Sequence, residues 1–293
     1  MPIENYILNA KQQKNQTEIT LHESLKGGKI LTGVVSGIEV MPNDNLTCAI
    51  VYIEPYKVVI PFEQFMDATP VQGRDPADWP RYLLSKRLGS EVDFVIRAID
   101  EKEEIAIGDR KRAMERISRY EGFNARNGKG EPIISVGNII PRARIVSSVR
   151  GGIYVEVKGT EIFIPVAELS YSRIQDATTS FPVGNIIDVK ITDISTDEEG
   201  KPVYKASVRE TMENPYVKAM KRFQQGNSYI GTVTVVSKAG VFVRLPGEVD
   251  ALCAFPDRGV SPVSGSMVTI RITNMDKEQN RIFGRIIHVS AAR

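Results

Sequence analysis

Residues 184–195, GNIIDVKITDIS, decide how this chain folds, because two other stretches repeat them: GSEVDFVIRAID at 89–100 and GSMVTIRITNMD at 265–276. Apolar residues recur in step, as Val92/Ile187/Val268, Phe94/Val189/Ile270, Ile96/Ile191/Ile272 and Ile99/Ile194/Met275. Alternation at a period of two buries one face of a strand and wets the other. Agreement of this density in three places marks an internal repeat, so the chain is read as three copies of one unit. Each copy opens with a glycine, Gly28, Gly137 or Gly226, followed five residues later by Gly33, Arg142 or Gly231. The next two strands also align: AIVYIEPYKVVIP at 49–61 lies under IYVEVKGTEIFIP at 153–165, and VFVRLPGEVDALCA from Val241 fits with one inserted residue.

Short, β-branched runs punctuated by Gly, Pro, Asn and Asp argue for strands throughout. Each copy offers five of them, and a five-stranded, partly open Greek-key barrel is the small architecture that fits. Closing the sheet removes edges that a module of this size leaves unprotected. An SH3-like barrel satisfies the same periodicity. The division expected is a polar, mobile tail at 1–26, barrel 1 at 27–109, a basic helical linker at 110–136, barrel 2 at 137–210, a helical linker at 211–225 and barrel 3 at 226–293. The fold class is all-β, three tandem barrels joined by short helical linkers.

The 293 residues are 42% hydrophobic and 25% charged, an ordinary globular composition that argues against global disorder. Lys and Arg number 38 against 36 Asp and Glu, so a uniformly basic coat for nucleic acid is excluded and only local patches remain to be weighed. Two Cys and two His leave no material for a disulfide framework or a Cys/His zinc cluster. Cys48 and Cys253 sit in apolar strands and read as buried small hydrophobes. The start shows no basic region followed by an apolar one, and no run approaches the ~18 apolar residues of a spanning helix, which points to a soluble, cytoplasmic chain with no membrane partner.

The copies resemble the S1-type RNA-binding repeat, an OB-fold module. SVRGGIYVEVKGTEIFIPVAELS resembles the second strand, third strand and helix start of early repeats in the ribosomal members of that family. GNSYIGTVTVVSKAGVFVRLPG is similar to the more typical opening, MDKEQNRIFG to the closing strand, and NPYVKAMKRFQQG to the helix between repeats. The likeness covers roughly residues 28–290. Copy one lacks the Gly pair before Ala49 and carries an insert between Phe62 and Gly89.

The resemblance implies that single-stranded RNA lies on the face of the second and third strands, its bases stacked on aromatics and its phosphates tracked by Lys and Arg. Carried over residue by residue, the first aromatic position is Ala239 in copy three and Gly151 in copy two. The second is Phe242 and Tyr154, and becomes Ile50 in copy one. The position often held by His is Ala254, Pro165 or Pro61, and the basic residue of the last strand is retained as Arg281. Along VFVRL, Val241, Val243 and Leu245 alternate inward, which leaves Phe242 and Arg244 outward beside Lys238; an exposed Phe among cations is unusual without a ligand. The candidate RNA-contacting residues are therefore Phe242, Lys238, Arg244, Arg271, Arg281, Tyr154, Arg150 and Arg144. For the cations the plain alternative is solvated surface charge, and for the rings a place in the core.

Charge separates the copies. Residues 27–109 hold 8 Lys and Arg against 14 Asp and Glu, while residues 226–293 hold 8 against 5. Phosphate contacts dominate affinity for nucleic acid, so acidic barrel 1 is a poor RNA surface and reads as a module that docks a protein partner such as the ribosome. Arg110, Lys111 and Arg112 read as a solvated helix face. Trp79, inside the insert, anchors that loop or marks a partner contact.

No catalytic signature surrounds His22 or His288, no phosphate-cradling G-x-x-x-x-G-K-[ST] loop occurs, and acidic runs such as TDEEG fall at turns. The chain reads as non-catalytic, without cofactor or metal. The leading expectation is a single-stranded RNA-binding protein acting in translation or mRNA handling. The alternatives are an adaptor that keeps the barrels but has lost the RNA face, and an accessory protein of a phage or mobile element.

Overall fold

The structure is a computed structural model that describes residues 3–41, 45–67, 75, 78–198, 200–256, 261–276 and 278–290, with side chains described from residue 12 onward. Lys277 of MDKEQNRIFG, Glu199 of TDEEG, and Arg74, Pro76 and Ala77 of the insert lie outside the described residues. Two compact units form: Met1–Pro165 with Asp176–Ser207, and Val166–Gln175 with Val208–Arg293.

The first unit holds two five-stranded modules. Barrel 1 consists of β1 (Leu31–Val40), β2 (Thr47–Ile53), β3 (Tyr56–Pro61), β4 (Glu91–Asp100) and β5 (Ile105–Asp109), closed in the order β1-β2-β3-β5-β4. Helices α2 (Phe62–Phe65) and α3 (Trp79–Ser85) lie between β3 and β4, and α4 (Arg110–Glu121) follows β5. Barrel 2 consists of β6 (Ile139–Val149), β7 (Gly152–Val157), β8 (Thr160–Pro165), β9 (Ile186–Thr196) and β10 (Pro202–Ser207), with α5 (Ala177–Ser180) before β9. Its strands run β10-β9-β6-β7-β8 and stop short of full closure. The second unit holds α6 (Pro215–Arg222) and barrel 3, in which β11 (Ser228–Ser237), β12 (Gly240–Leu245), β13 (Val249–Ala254), β14 (Met267–Asp276) and β15 (Arg281–Val289) close as β11-β12-β13-β15-β14. The fold is all-β, with three closed or nearly closed five-stranded barrels.

The repeat that announces the fold also carries its bends. Val92, Phe94 and Ile96 are buried in barrel 1, as are Val268, Ile270 and Ile272 in barrel 3. One residue after Ile96, Ile191 and Ile272 the register slips, so Arg97, Thr192 and Thr273 are bulged in all three copies. A bulge flips the parity of the residues beyond it, which is why the apolar pattern resumes three residues on, at Ile99, Ile194 and Met275, with Ile99 and Met275 packed against their cores. The bulge bends the fourth strand so that it can pair on both sides of the barrel.

Gly33 and Gly231 are glycines because a Cβ there would lie 2.3 Å from Val51 Cγ1 and 2.6 Å from the Arg244 carbonyl oxygen, respectively. The register corrects their counterpart in copy two. Gly33 faces Val92 and Gly231 faces Val268, but Ala143, not Arg142, faces Ile187. A register shift between Ile140 and Ala143, with Arg142 at φ 59°, adds one residue to β6.

The polar tail expected at 1–26 is instead a helix, α1 (Ile3–Gly27). It docks with polar contacts that no search for an apolar stripe detects. Thr17 donates to the Glu54 carbonyl at 2.9 Å, Tyr56 donates to Glu18 at 3.1 Å, and Ile96 N–H donates to Ser24 Oγ at 2.9 Å. Lys14 pairs with Glu104 at 2.5 Å and His22 with Glu101 at 2.8 Å. Among the described side chains of the face, Leu21 alone is a fully buried apolar anchor, packed into the barrel 1 core. Spacings of three and four residues put these groups on one side of the helix.

Cys48 and Cys253 are free thiols and buried; burial pushes both up, Cys253 to about 12. Among the described residues no cluster of His, Cys, Asp or Glu suits a metal ion, and no helix is long and apolar enough to cross a membrane.

Candidate nucleic-acid interface

Alternation in β12 places Val241, Val243 and Leu245 in the core and leaves Phe242 and Arg244 half-buried on the outside. Phe242 faces Leu252 on β13, and Leu252 faces Phe283 on β15. Directly opposed residues share a face, so the three side chains form an apolar row across the outer surface of barrel 3. Exposed Arg281 and Arg285 flank Phe283 two residues to either side, and Arg285 faces exposed Arg271 on β14. Lys238 is exposed in the turn between β11 and β12.

Two features temper this face. Arg244 faces Asp250, which accepts from its Nε at 3.1 Å and holds the guanidinium above its usual pKa. The Arg173 guanidinium lies 4.1 Å from the centre of the Phe242 ring. Its segment is pinned to barrel 3, since Arg173 N–H donates to Asp250 Oδ2 at 2.8 Å and Ser172 donates to the Glu248 carbonyl at 3.1 Å. A base that stacks on Phe242 must displace this guanidinium.

Barrel 2 carries the equivalent row with different chemistry. Half-buried Tyr154 faces Phe163, which is 42% exposed, their ring centres 4.9 Å apart. The Arg87 guanidinium sits 5.7 Å from the Tyr154 ring. Arg150 is exposed in the turn between β6 and β7. Arg144 is not a surface cation: it is tied to Asp93 of barrel 1 and to Glu156 of barrel 2. Burial works against its charge, but those two carboxylates outweigh it and raise the guanidinium above its ordinary value. The helix face expected to be solvated also turns inward at Arg110, which is 3% exposed and pairs with Glu156 at 2.8 Å.

In barrel 1 the matching row is Ile50, Val59 and Ile107. It is aliphatic, and Ile50 and Val59 are closed into a small cluster with Cys48 and Met41. None of the three is a ring. Of the eight candidates, then, Phe242, Arg271 and Arg281 share the barrel 3 face, Lys238 and Arg150 sit in turns, Tyr154 pairs with Phe163, and Arg144 and Arg244 are held by acids. Phe163 and Phe283 escaped the sequence reading although both alternate outward, between Ile162 and Ile164 and between Ile282 and Gly284. Arg173 left no signal, because its position depends on how a loop lies on barrel 3.

Three small barrels in one chain, two of them with rings facing outward, define a tandem OB-fold protein. Residues 136–201 match the family model described as S1 RNA binding domain. The small ribosomal subunit protein bS1 of Staphylococcus saprophyticus is 23% identical over 159 residues, 51% of this chain and 39% of that protein. The bS1 of Neisseria meningitidis serogroup B is 21% identical over 289 residues, 95% of this chain and 47% of that protein. The 4-hydroxy-3-methylbut-2-enyl diphosphate reductase of Clostridium tetani is 28% identical over 139 residues, 45% of this chain but 21% of that enzyme. The chain spans less than half the length of each of these relatives. Residues 136–201 therefore carry an S1-type repeat, and the chain as a whole is similar to S1-type, OB-fold repeat proteins.

Proposed function

We propose that this chain binds single-stranded RNA without catalysing a reaction on it, and that it acts in translation or mRNA handling. The observation that carries the reading is the row Phe242, Leu252 and Phe283 with Arg271, Arg281 and Arg285 around it. Outward-facing rings accept bases of any sequence, and cations beside them track the backbone. Similarity to two bS1 proteins supports the setting in translation. The similarity to the reductase covers a fifth of that enzyme, so its chemistry has no counterpart to carry over. Barrel 1 docks a protein partner such as the ribosome; its acidic surplus and its exposed Val34, Val40 and Tyr52 support that role.

The adaptor reading draws on Arg144 and Arg244, both held by carboxylates, and on Arg173 over Phe242. Fluorescence anisotropy of a labelled single-stranded RNA, titrated from low to moderate KCl, separates the two. Three or four phosphate contacts give log K a slope of about −2 to −3 against log salt. No measurable binding at low salt would favour the adaptor.

A further inference from the structure

The insert of barrel 1 has a face that the barrel core does not use. Leu84 anchors α3 in the core, and Arg87, 2% exposed, crosses to Glu161 on β8 of barrel 2. Between these anchors and barrel 2 runs a groove of about 1170 Å³. That exceeds the range of roughly 300–1,000 Å³ typical of sites that enclose one small ligand.

Its walls are aromatic on both sides. From barrel 1 come Trp79 and Tyr82, stacked with ring centres 5.6 Å apart and planes at 14°, with the Lys86 ammonium 5.4 Å from the Tyr82 ring. From barrel 2 come Tyr154, Phe163 and Tyr204. Five Lys and Arg line the groove against three Asp and Glu. The outer row of barrel 2 is thus not an isolated platform; it is one wall of a channel whose other wall belongs to barrel 1.

We infer that this groove is a composite site for single-stranded RNA, in which consecutive unstacked bases lie against the rings of both barrels and Lys86 meets the backbone. This rests on the RNA-binding reading and gives barrel 1 a direct part in it. Clustered rings with a cation close by are what planar bases joined by phosphates require. Arg87, Arg110, Lys111 and Lys205 are held by carboxylates, so exposed Lys86 carries the attraction for a polyanion.

Trp79 is the only tryptophan in the chain, so its emission reports this groove alone. A mixed-sequence RNA dodecamer should quench it saturably, with the same midpoint as anisotropy of the labelled dodecamer. Tyr82→Ala should weaken binding about fivefold to a hundredfold through loss of one stacking surface. Lys86→Ala, a change at an exposed side chain, should weaken it less and flatten the salt slope by about 0.7. The groove assignment is overturned if RNA binds and Phe242→Ala weakens it while Trp79 emission, Tyr82→Ala and Lys86→Ala all leave binding as in the unmodified chain. Absence of any binding at low salt instead overturns the RNA-binding reading itself, and the groove with it.

Discussion

Glu156→Ala should cost the first unit about 3–5 kcal/mol of stability, the range for breaking a buried ion pair and stranding its partner. Glu156 is 4% exposed, and its two oxygens serve different arginines: one accepts from Arg144, the other from Arg110 at 2.8 Å. Both arginines have a second acid. Arg144 also reaches Asp93 of barrel 1, and Arg110 also reaches Glu161 at 3.3 Å, which in turn holds Arg87. Arg110 further donates to the Phe65 carbonyl at 3.2 Å and lies 5.0 Å from the Phe65 ring. Removing the shared carboxylate leaves two guanidinium groups with half their compensation, one of them fully out of water. Urea unfolding followed by Trp79 emission reads this unit, and the midpoint should fall with an unchanged m-value. Lys205→Ala, which removes an exposed pair with Asp193, should cost less than 1 kcal/mol. A loss below 1 kcal/mol for Glu156→Ala would mean that the cluster does not hold barrels 1 and 2 together.

The second large effect belongs to barrel 3. Phe242→Ala combined with Phe283→Ala should weaken single-stranded RNA binding by about 1.5 to 4 orders of magnitude, since each lost stacking surface is worth ~1–3 kcal/mol per base. Neither ring is in the core: the buried neighbours on β12 are Val241 and Val243, and on β15 Ile282 and Ile286. The double variant should therefore keep its fold, checked by an unchanged urea transition in far-UV circular dichroism. Arg271→Ala should act differently, reducing the salt slope by about 0.7 while the rings remain. If the double variant binds as tightly as the unmodified chain, the row across barrel 3 is not the platform, whatever else the chain binds.

Much of the fold was legible because strand parity is a local property. The residue at which each copy turns inward could be read from VFVRL or GNIIDVKITDIS without knowing what packs against it. The bulges at Arg97, Thr192 and Thr273 went unread, although the apolar step lengthens there from two residues to three, from Ile96 to Ile99, Ile191 to Ile194 and Ile272 to Met275. The helix α1 was missed because its docking face is built from Lys14, Thr17, Glu18 and Ser24, groups whose value appears only opposite Glu104, Glu54, Tyr56 and Ile96. The same limit applies to the site. Phe242 and Tyr154 came from the family resemblance, with alternation supporting Phe242, and Phe163 and Phe283 were open to that same test of alternation. Arg144 looked like surface charge because its two acids come from Asp93 and Glu156, one in another copy. Barrel 1 looked simply acidic, yet Glu101 and Glu104 meet α1 and Asp93 meets barrel 2.

The most direct measurement is a map of where RNA touches the chain. Single-stranded RNA carrying photoreactive uridines, cross-linked to the full chain and analysed peptide by peptide, should mark the strands that hold Phe242 and Phe283. Cross-links that avoid β12 and β15, or their absence at low salt where contact is strongest, would contradict the account.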